Sequence, residues 1–415
     1  MISQLILILA ISIAEYRQVS GVIHINTNIS NGLYSIEDIA KLARSRDISV
    51  VIYTDHFLER FTYGLPPFRN LIKKTIRRNC IVDYGIEKYL AEIKRVSKLY
   101  PDMVLIPGAK VRPFYYWTGS YFDKTLTLCN AHRRLLVIGL ESLYKNLPII
   151  GNRRTLFNQY NGDVGIFPYQ QVIDYVASQG GLCFWSLPEA TTDEKVGRIR
   201  VLTPPYPTAL LETKNYTGFG GLYEGYREAG GPGGTWDKVL NEYCTESRAN
   251  PVWTIGELDY HYEGEAGGKS LEEVQTVFLV SNVNDSCILD ALRQGRMYAM
   301  RRTKEYALLL DEFSVSNDLG ISAVMGEEIC CKDKPIVRFK VLCSDSISRE
   351  ITIKLIRRGS TSNGEIVKKF NLLTPVNMTY IGTKVSGSKS YYRLDIETQY
   401  PHKILTNPIF VSRKP

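Results

Sequence analysis

The sequence predicts an α/β domain built on a parallel sheet, followed by a smaller all-β domain. Three observations carry this prediction. From about residue 20 to about 310, short apolar segments alternate with amphipathic helical ones. Beyond about 310 the helical periodicity stops, and strand-like segments are separated by Gly/Ser/Asn turns. A repeated strand-then-helix order implies crossover connections between parallel strands, in a sheet that either stays open or closes into a barrel.

Residues 21–25 read as the first strand. Ser35-Ile36-Glu37-Asp38 is a capping box, and Ile36, Ile39, Ala40 and Ala43 share one face of the helix it opens. Residues 49–53 form the next strand, and 84–100 a helix with Ile86, Leu90, Ile93 and Val96 inward. Residues 103–106, 135–140, 182–185 and 252–255 are short apolar runs of the buried-strand type, whereas 172–179 and 270–279 read as helices. The loop Gly230-Gly231-Pro232-Gly233-Gly234 lacks the Lys-Ser/Thr of a phosphate-binding loop and follows no strand, so a flexible surface or rim loop is expected. Residues 337–343, 350–357, 378–382, 390–397 and 409–412 read as strands, with turns at 359–364 and 386–390. A small antiparallel sandwich over residues 311–415 fits that spacing.

Composition is that of a folded globular protein: of 415 residues, 44% are apolar and 23% charged. No run reaches the ~18–20 apolar residues of a membrane span. The net charge of +8 is carried partly by short clusters: Lys73, Lys74, Arg77 and Arg78; Arg133 and Arg134; Arg301 and Arg302. These read as solvated faces, with an anionic substrate or surface as the alternative. No nucleic-acid motif accompanies them, so nucleic-acid binding is not predicted. Residues 5–13 are an apolar run, and Ser12-Ile13-Ala14 is a small-x-small exit. Together they predict a signal peptide over residues 1–14 and export to the periplasm or the extracellular space, although the n-region carries no Lys or Arg; the alternative is a buried N-terminal strand or helix and a cytoplasmic location. The eight cysteines include no CxxC. Cys129 and Cys183 have the apolar contexts of buried thiols, and export would permit a bridge from Cys330 or Cys331 to Cys343.

Five histidines occur, and four of them, His24, His56, His132 and His261, fall just beyond or beside a predicted strand. Asn26, Asn31, Asp55, Lys110, Glu189, Glu257 and Asp259 share that position. In parallel α/β folds, sites gather at the carboxyl ends of strands. A single histidine there is usually structural; four at equivalent places point to a site. Imidazole suits divalent transition metals, and Asp259-x-His261 presents two ligand types at alternating positions.

The segment His24-Ile25-Asn26-Thr27-Asn28-Ile29-Ser30-Asn31-Gly32 resembles the HxHTxxSDG motif that opens PHP (polymerase and histidinol phosphatase) domains. Thr54-Asp55-His56 resembles that family's second motif, and Ile106-Pro107-Gly108-Ala109-Lys110 falls where it has GxE. His132 falls where a ligand histidine precedes a strand, and Trp185-Ser186-Leu187-Pro188-Glu189 where the family has a His-Pro pair. Gly256-Glu257-Leu258-Asp259-Tyr260-His261 resembles the closing DxH, and residues 291–299 the last helix. The resemblance covers most of residues 20–305 in order. Tyr391-Tyr392-Arg393-Leu394 and Asn407-Pro408-Ile409-Phe410-Val411 resemble the β-sandwich appended to some exported PHP proteins. What the resemblance implies is a distorted, TIM-like (β/α)7 barrel over residues 20–310 with a small all-β sandwich after it. Its site would hold two or three divalent ions, zinc or manganese, and a metal-activated hydroxide that attacks a phosphoester. The family ligands that stand in this chain are His24, His56, His132, Asp259 and His261.

Four positions depart from the pattern. Asn26 replaces the second His of HxH, Asn31 the Asp of SDG, Lys110 the bridging Glu of GxE, and Leu187 the His before Pro188. Lys110 matters most. At ~4 Å and an effective dielectric near ~20, a unit charge opposes another by roughly 4 kcal/mol, so a dication beside a protonated lysine is disfavoured. An ammonium in the ion's place, salt-bridged to Asp259 and hydrogen-bonded to Asn26, accounts for the set. The expectation is a PHP-like phosphoesterase homologue of weakened or lost activity, a pseudoenzyme that binds a small anionic or phosphorylated ligand or a partner, with an ion at reduced occupancy or none. The alternative is an active metal-dependent phosphoesterase with a reduced mono- or dinuclear site, where Lys110 or Arg60 steadies the phosphate. A third reading makes the sandwich the working part of an exported binding module, with Tyr391 among its exposed aromatics.

Overall fold

The computed structural model describes residues 16–139, 141–151, 157–265, 269–359, 364–385 and 387–413. The expected signal peptide, the middle of the turn at 359–364 and Ser386 lie outside them. The protein is mixed α/β, with one large curled sheet and three smaller sheets among the described residues. No helix among those residues is long and apolar enough to cross a membrane.

The curl is built in chain order. Arg17–Ile25, Val50–Tyr53, Val104–Val111, Arg134–Ile138, Leu182–Ser186, Gly218–Leu222 and Trp253–Gly256 each lie beside their predecessor. Several are buried along their whole length, because helices or the curl itself cover both faces. The helix Ile36–Arg44 starts at the expected capping box: Ser35 Oγ accepts from the Asp38 amide at 3.1 Å, and the Asp38 carboxylate accepts from the Ser35 amide at 3.1 Å. Its buried face is Ile36, Ile39, Ala40 and Ala43, as the periodicity predicts. Ile86–Leu99 and Phe167–Ser178 are likewise helical.

The parallel prediction fails at one strand. Arg134–Ile138 runs antiparallel to both Val104–Val111 and Leu182–Ser186. The chain leaves Val104–Val111 without a helical crossover and returns through the short strands Tyr116–Thr118 and Thr127–Cys129, so it re-enters the sheet from the same end.

Closure occurs at the carboxyl end of the first strand. The Tyr260 amide donates to His24 O at 2.9 Å, and the Asn26 amide donates to Tyr260 O at 2.9 Å. The opposite half of that strand, Arg17 to Gly21, pairs antiparallel with Val274–Val280. Residues 270–279 therefore do not form the expected helix. Val274–Val280 is buried on both faces, so it lacks the alternation that marks a half-exposed strand, and a continuous apolar run is ambiguous by period alone. The resemblance's last helix also lies earlier in the chain than 291–299. The helix is Asp285–Gln294, stopped by Gly295 at φ 74°, and Met297–Arg301 is a strand.

The sheet continues without a break past residue 310. Met297–Arg301 pairs with Lys403–Thr406, which pairs with Lys389–Glu397, then Glu350–Arg358 and Gly364–Leu373. A four-stranded sheet of Ser322–Ala323, Leu308–Ser316, Ile336–Cys343 and Val376–Ile381 shares an apolar core with it. Phe278, Val280, Met297 and Ala299 enter the core of the curled part, whereas Val277, Leu279, Tyr298 and Met300 enter the C-terminal core. Two strands thus form a wall common to both cores, each contributing one face to each side.

Three further expectations are corrected. Tyr391 is fully buried and donates to Asp237 Oδ1 at 2.8 Å. The glycine loop is docked rather than free at the rim: the Gly233 amide donates to Asp237 Oδ2 at 2.7 Å, and Arg393 donates to Gly231 O at 3.2 Å. Arg393 and Asp237 form a fully buried ion pair at 2.7 Å, with the guanidinium over the Trp236 ring. No cysteine bridge forms; all eight thiols are free, and Cys343 Sγ lies 3.3 Å from Thr374 Oγ1.

Candidate functional site

The expected site residues converge where the curl closes, and Asp259 is the centre. His24 sits at a register shift between Ile23 and Ile25 with φ 70°, a left-handed conformation rare for a residue with a side chain. The bulge re-aims its ring, as such irregularities do beside functional sites. Its Nδ1 lies 2.9 Å from Glu257 Oε2. Its Nε2 lies 2.9 Å from Asp259 Oδ1, within ion-pair range but off hydrogen-bond alignment. Asn26 Nδ2 donates to the same Asp259 oxygen at 3.0 Å and to Tyr260 O at 3.0 Å. Lys110 Nζ donates to that oxygen at 2.9 Å from a side chain with 0% exposure. His261 Nε2 stands 3.7 Å from it. Asn26 and Lys110 meet on Asp259, so the expected lysine–asparagine hydrogen bond is replaced by a shared acceptor. Asp259 itself has φ 46°, and Lys269 Nζ holds its carbonyl at 2.9 Å.

Burial would raise the Asp259 carboxyl, but His24 and Lys110 outweigh it and hold the group well below the carboxylate range. Burial lowers the Lys110 ammonium from its usual value, and Asp259 opposes that shift. The lysine thus has an ionised carboxylate in direct contact, the arrangement a buried charge needs.

Around this pair His56 and His261 each face a carboxylate of the chain. His56 Nδ1 lies 2.6 Å from Glu59 Oε1. Arg112 Nη1 donates to both Glu59 oxygens at 2.8 and 2.9 Å. Burial acts upward on Glu59, yet Arg112 and His56 hold it well below the usual range. Burial, then Lys110, lowers His56 well below an ordinary imidazole. Burial, then Arg134, pushes His132 down to about 3. Burial also lowers His261, against the pull of Asp259, and its Nδ1 lies 2.9 Å from the Glu265 carboxylate. Asp55 clasps the loop after the first strand: it accepts from the Thr27 amide at 2.7 Å, Thr27 Oγ1 at 2.9 Å and Ser30 Oγ at 2.5 Å. Glu257 accepts from Ser186 Oγ at 2.9 Å and from the Leu187 amide, which places Leu187 (φ 44°) against the site through its backbone.

A cavity of about 140 Å³ opens on this cluster, lined by Ser30, Asn31, His56, Glu59, Arg78, Asn79, His132, Arg134, Asp259 and His261. Asn31 accepts from Ser30 Oγ at 3.3 Å. His24, Asn26 and Lys110 touch the cavity wall through Asp259, whereas Leu187 bonds Glu257, which is outside the wall and meets Asp259 only by way of His24. Neither expected phosphate contact is part of the cavity wall: Lys110 is bonded to Asp259 with no exposed surface, and Arg60 pairs with Asp83. Arg78 and Arg134 supply the cationic wall instead. Sequence reasoning missed Glu59, Arg112 and Glu265. The available signal was spacing: His56 and Glu59 are i,i+3, and His261 and Glu265 are i,i+4.

The residues present do not fit the di- or trinuclear centre that the resemblance implies. Among the described residues, no group of three or more His, Cys, Asp and Glu is arranged to hold a metal ion. The donor chemistry gives the reason. The shared Asp259 oxygen faces the Lys110 ammonium, and neither that ammonium nor Leu187 offers a metal a lone pair; the carboxylates on Nδ1 of His24, His56 and His261 are partners that metal-bound histidines also have.

No family model matches the chain, and no curated protein sequence matches it. Solved structures do show similarity. A two-domain protein containing a predicted PHP-like metal-dependent phosphoesterase, from Bacteroides vulgatus ATCC 8482, is similar over 92% of this chain and 91% of its own. The identity is 14% and the TM-score 0.39. A proposed metal-dependent phosphoesterase from Bifidobacterium adolescentis ATCC 15703 is similar over 66% of this chain and 95% of its own, at 12% identity and a TM-score of 0.33.

Proposed function

We propose that the curled sheet with its helices is a PHP-type distorted (β/α)7 barrel over residues 20–310, that residues 311–415 form a sandwich on it, and that Lys110 has taken the place of a cation. In this reading the protein is a non-catalytic homologue of metal-dependent phosphoesterases that binds a small anionic or phosphorylated ligand. The supporting observation is the buried Lys110 ammonium, 2.9 Å from Asp259 Oδ1. A carboxylate that would otherwise hold an ion is neutralised by the chain itself, and no metal-activated hydroxide is generated. The cavity wall suits an anion. Among the described residues Arg134 has one acidic contact, Glu59 at 3.8 Å, and that carboxylate is already bonded twice by Arg112. Arg134 therefore brings a positive charge to the wall with little opposing it.

The deciding experiment is metal analysis of the native protein beside Asn26→His/Asn31→Asp/Lys110→Glu/Leu187→His. Zinc or manganese at stoichiometric level only in the restored variant is the expected result. Stoichiometric metal in the native protein, with turnover of an aryl phosphodiester, would falsify the proposal. Calorimetry with inorganic phosphate tests the ligand class: Arg134→Gln is expected to weaken binding about tenfold.

A second reading, an active phosphoesterase with a reduced site, is favoured by one feature. His56, His132, His261 and Asp259 share one cavity, and burial keeps the three imidazoles in the neutral form that ligates metals. It requires His261→Ala to lower metal content and phosphodiester turnover together.

A further inference from the structure

A hairpin of Arg60–Gly64 and Lys73–Arg77 forms its own two-stranded sheet beside the candidate site. Residues 60–78 contain Arg60, Arg69, Lys73, Lys74, Arg77 and Arg78, and no Asp or Glu. The inner strand is anchored. Phe61 packs 5.3 Å from the Tyr115 ring, the Thr62 amide donates to Tyr115 Oη at 2.9 Å, and Trp117 Nε1 donates to Thr62 O at 2.8 Å. The outer strand is exposed at every residue.

The turn between them is ordered by Leu65 and Ile72 amides donating at 2.8 Å to Ile72 O and Phe68 O respectively. It displays Phe68, Leu71 and Ile72 at 59%, 82% and 49% exposure. Phe122, 74% exposed, lines a hollow shared with Pro66 and Arg69. Of the six cations, Arg60 alone has an acidic partner, Asp83, among the described residues. Arg60 also faces Arg77 across the hairpin, a like-charge pairing that works against the fold.

Lysines on an exposed strand discourage pairing with other chains, and that accounts for Lys73 and Lys74. It does not account for three large apolar side chains held at an ordered tip, where burial within this chain gains nothing from them. Apolar side chains at a tip backed by cations that, Arg60 apart, have no acidic partner among the described residues match an anionic bilayer surface, where the first enter the headgroup–acyl boundary and the second meet phosphates. Nucleic acid or an acidic peptide would use the charges and leave Phe68, Leu71 and Ile72 in water.

We propose that this hairpin docks the protein peripherally on an anionic phospholipid surface. Phe68, Leu71 and Ile72 enter the interface, while Arg69, Lys73, Lys74 and Arg77 contact lipid phosphates. Arg78, the next residue, lines the cavity of the candidate site, so that site opens beside the docking face. The docking does not depend on whether the site binds metal or an anion.

The test is co-sedimentation of the full chain with vesicles of phosphatidylcholine containing about one-third phosphatidylglycerol, against pure phosphatidylcholine. Binding at least tenfold stronger to the anionic vesicles, and lost in high salt, is expected. Lys73→Glu/Lys74→Glu and Phe68→Ser/Leu71→Ser/Ile72→Ser should each weaken it about tenfold or more, with unchanged circular dichroism and melting. Phe68→Trp should show a blue-shifted emission on anionic vesicles. No vesicle binding, equal binding to both compositions, an unshifted Phe68→Trp emission, or duplex DNA or acidic-peptide binding without vesicle binding would each overturn the proposal.

Discussion

A lysine ammonium with no exposed surface is stable only if a carboxylate stays ionised against it, and Asp259 serves that purpose for Lys110. Removing one partner strands the other. Asp259→Asn is expected to cost about 3–5 kcal/mol in urea denaturation, because Lys110 is left buried and uncompensated. Adding Lys110→Met should recover much of that loss, since an apolar side chain of similar length needs no counter-charge. Simple additivity of the two substitutions would show that the pair is not energetically linked. At this scale the sequence was partly legible. His24, His56, His132, Asp259 and His261 could be named because motif order marks strand ends. Arg112 could not, because its pairing with Glu59 joins residues 53 positions apart through the fold, and Glu59 was marked only by its i,i+3 spacing from His56. Arg60 misled for the same reason: Asp83, 23 residues on, claims it. Tyr391 looked like a surface aromatic only until Asp237, 154 residues away, supplied the buried acceptor its hydroxyl needs.

Elements were legible where a cap and one polar face mark them, or where an apolar run is too short for a helix, and obscure where a longer run has no polar face. The helix Ile36–Arg44 has a cap and one apolar stripe, and both were readable. Val274–Val280 has no polar face, so its strand character is set by neighbours, Arg17 to Gly21 on one edge and Met297–Arg301 on the other. The strand Lys389–Glu397 ends on a charge cluster with a pH consequence. Glu397 accepts from Lys354 at 2.8 Å and from Lys403 at 2.6 Å. Burial raises its carboxyl, yet the two lysines pull it down to about 2. A folded value below that of the unfolded chain, ~4.3, means the contribution is full at neutral pH and is lost as pH falls from about 4.3 towards 2. Glu397→Gln should therefore lower the urea midpoint at pH 7 and have little effect near pH 2. Its 36% exposure keeps the effect modest and salt-sensitive.

At the scale of the whole molecule, the largest sheet runs through both cores. Val274–Val280 and Met297–Arg301 face both, and Asn407 reinforces the join by bonding Thr254 N at 2.8 Å, Thr254 O at 3.0 Å and Met297 O at 3.0 Å. Deleting residues 311–415 would bare the edge of Met297–Arg301, expose the apolar wall and leave Asp237 without Arg393. The truncated chain is expected to be insoluble or to melt without a cooperative transition, whereas the full chain should unfold in one calorimetric step. A soluble truncation with a sharp melt would show that the curled part stands alone. None of this was legible in the sequence, because the change of pattern near residue 310 reports local periodicity, not which strand edges meet.

The division of the first strand between two neighbours has a consequence for synthesis. Its leading half needs Val274–Val280, and its trailing half, with His24, needs Tyr260. The strand beyond, Met297–Arg301, needs Lys403–Thr406. A growing chain therefore carries an unpartnered apolar edge for the roughly one hundred residues made after Arg301, some ~5–20 s at ~5–20 residues per second. Over that interval the edge is open to any passing strand, so the nascent chain depends on a chaperone, or on speed, more than its finished surface suggests.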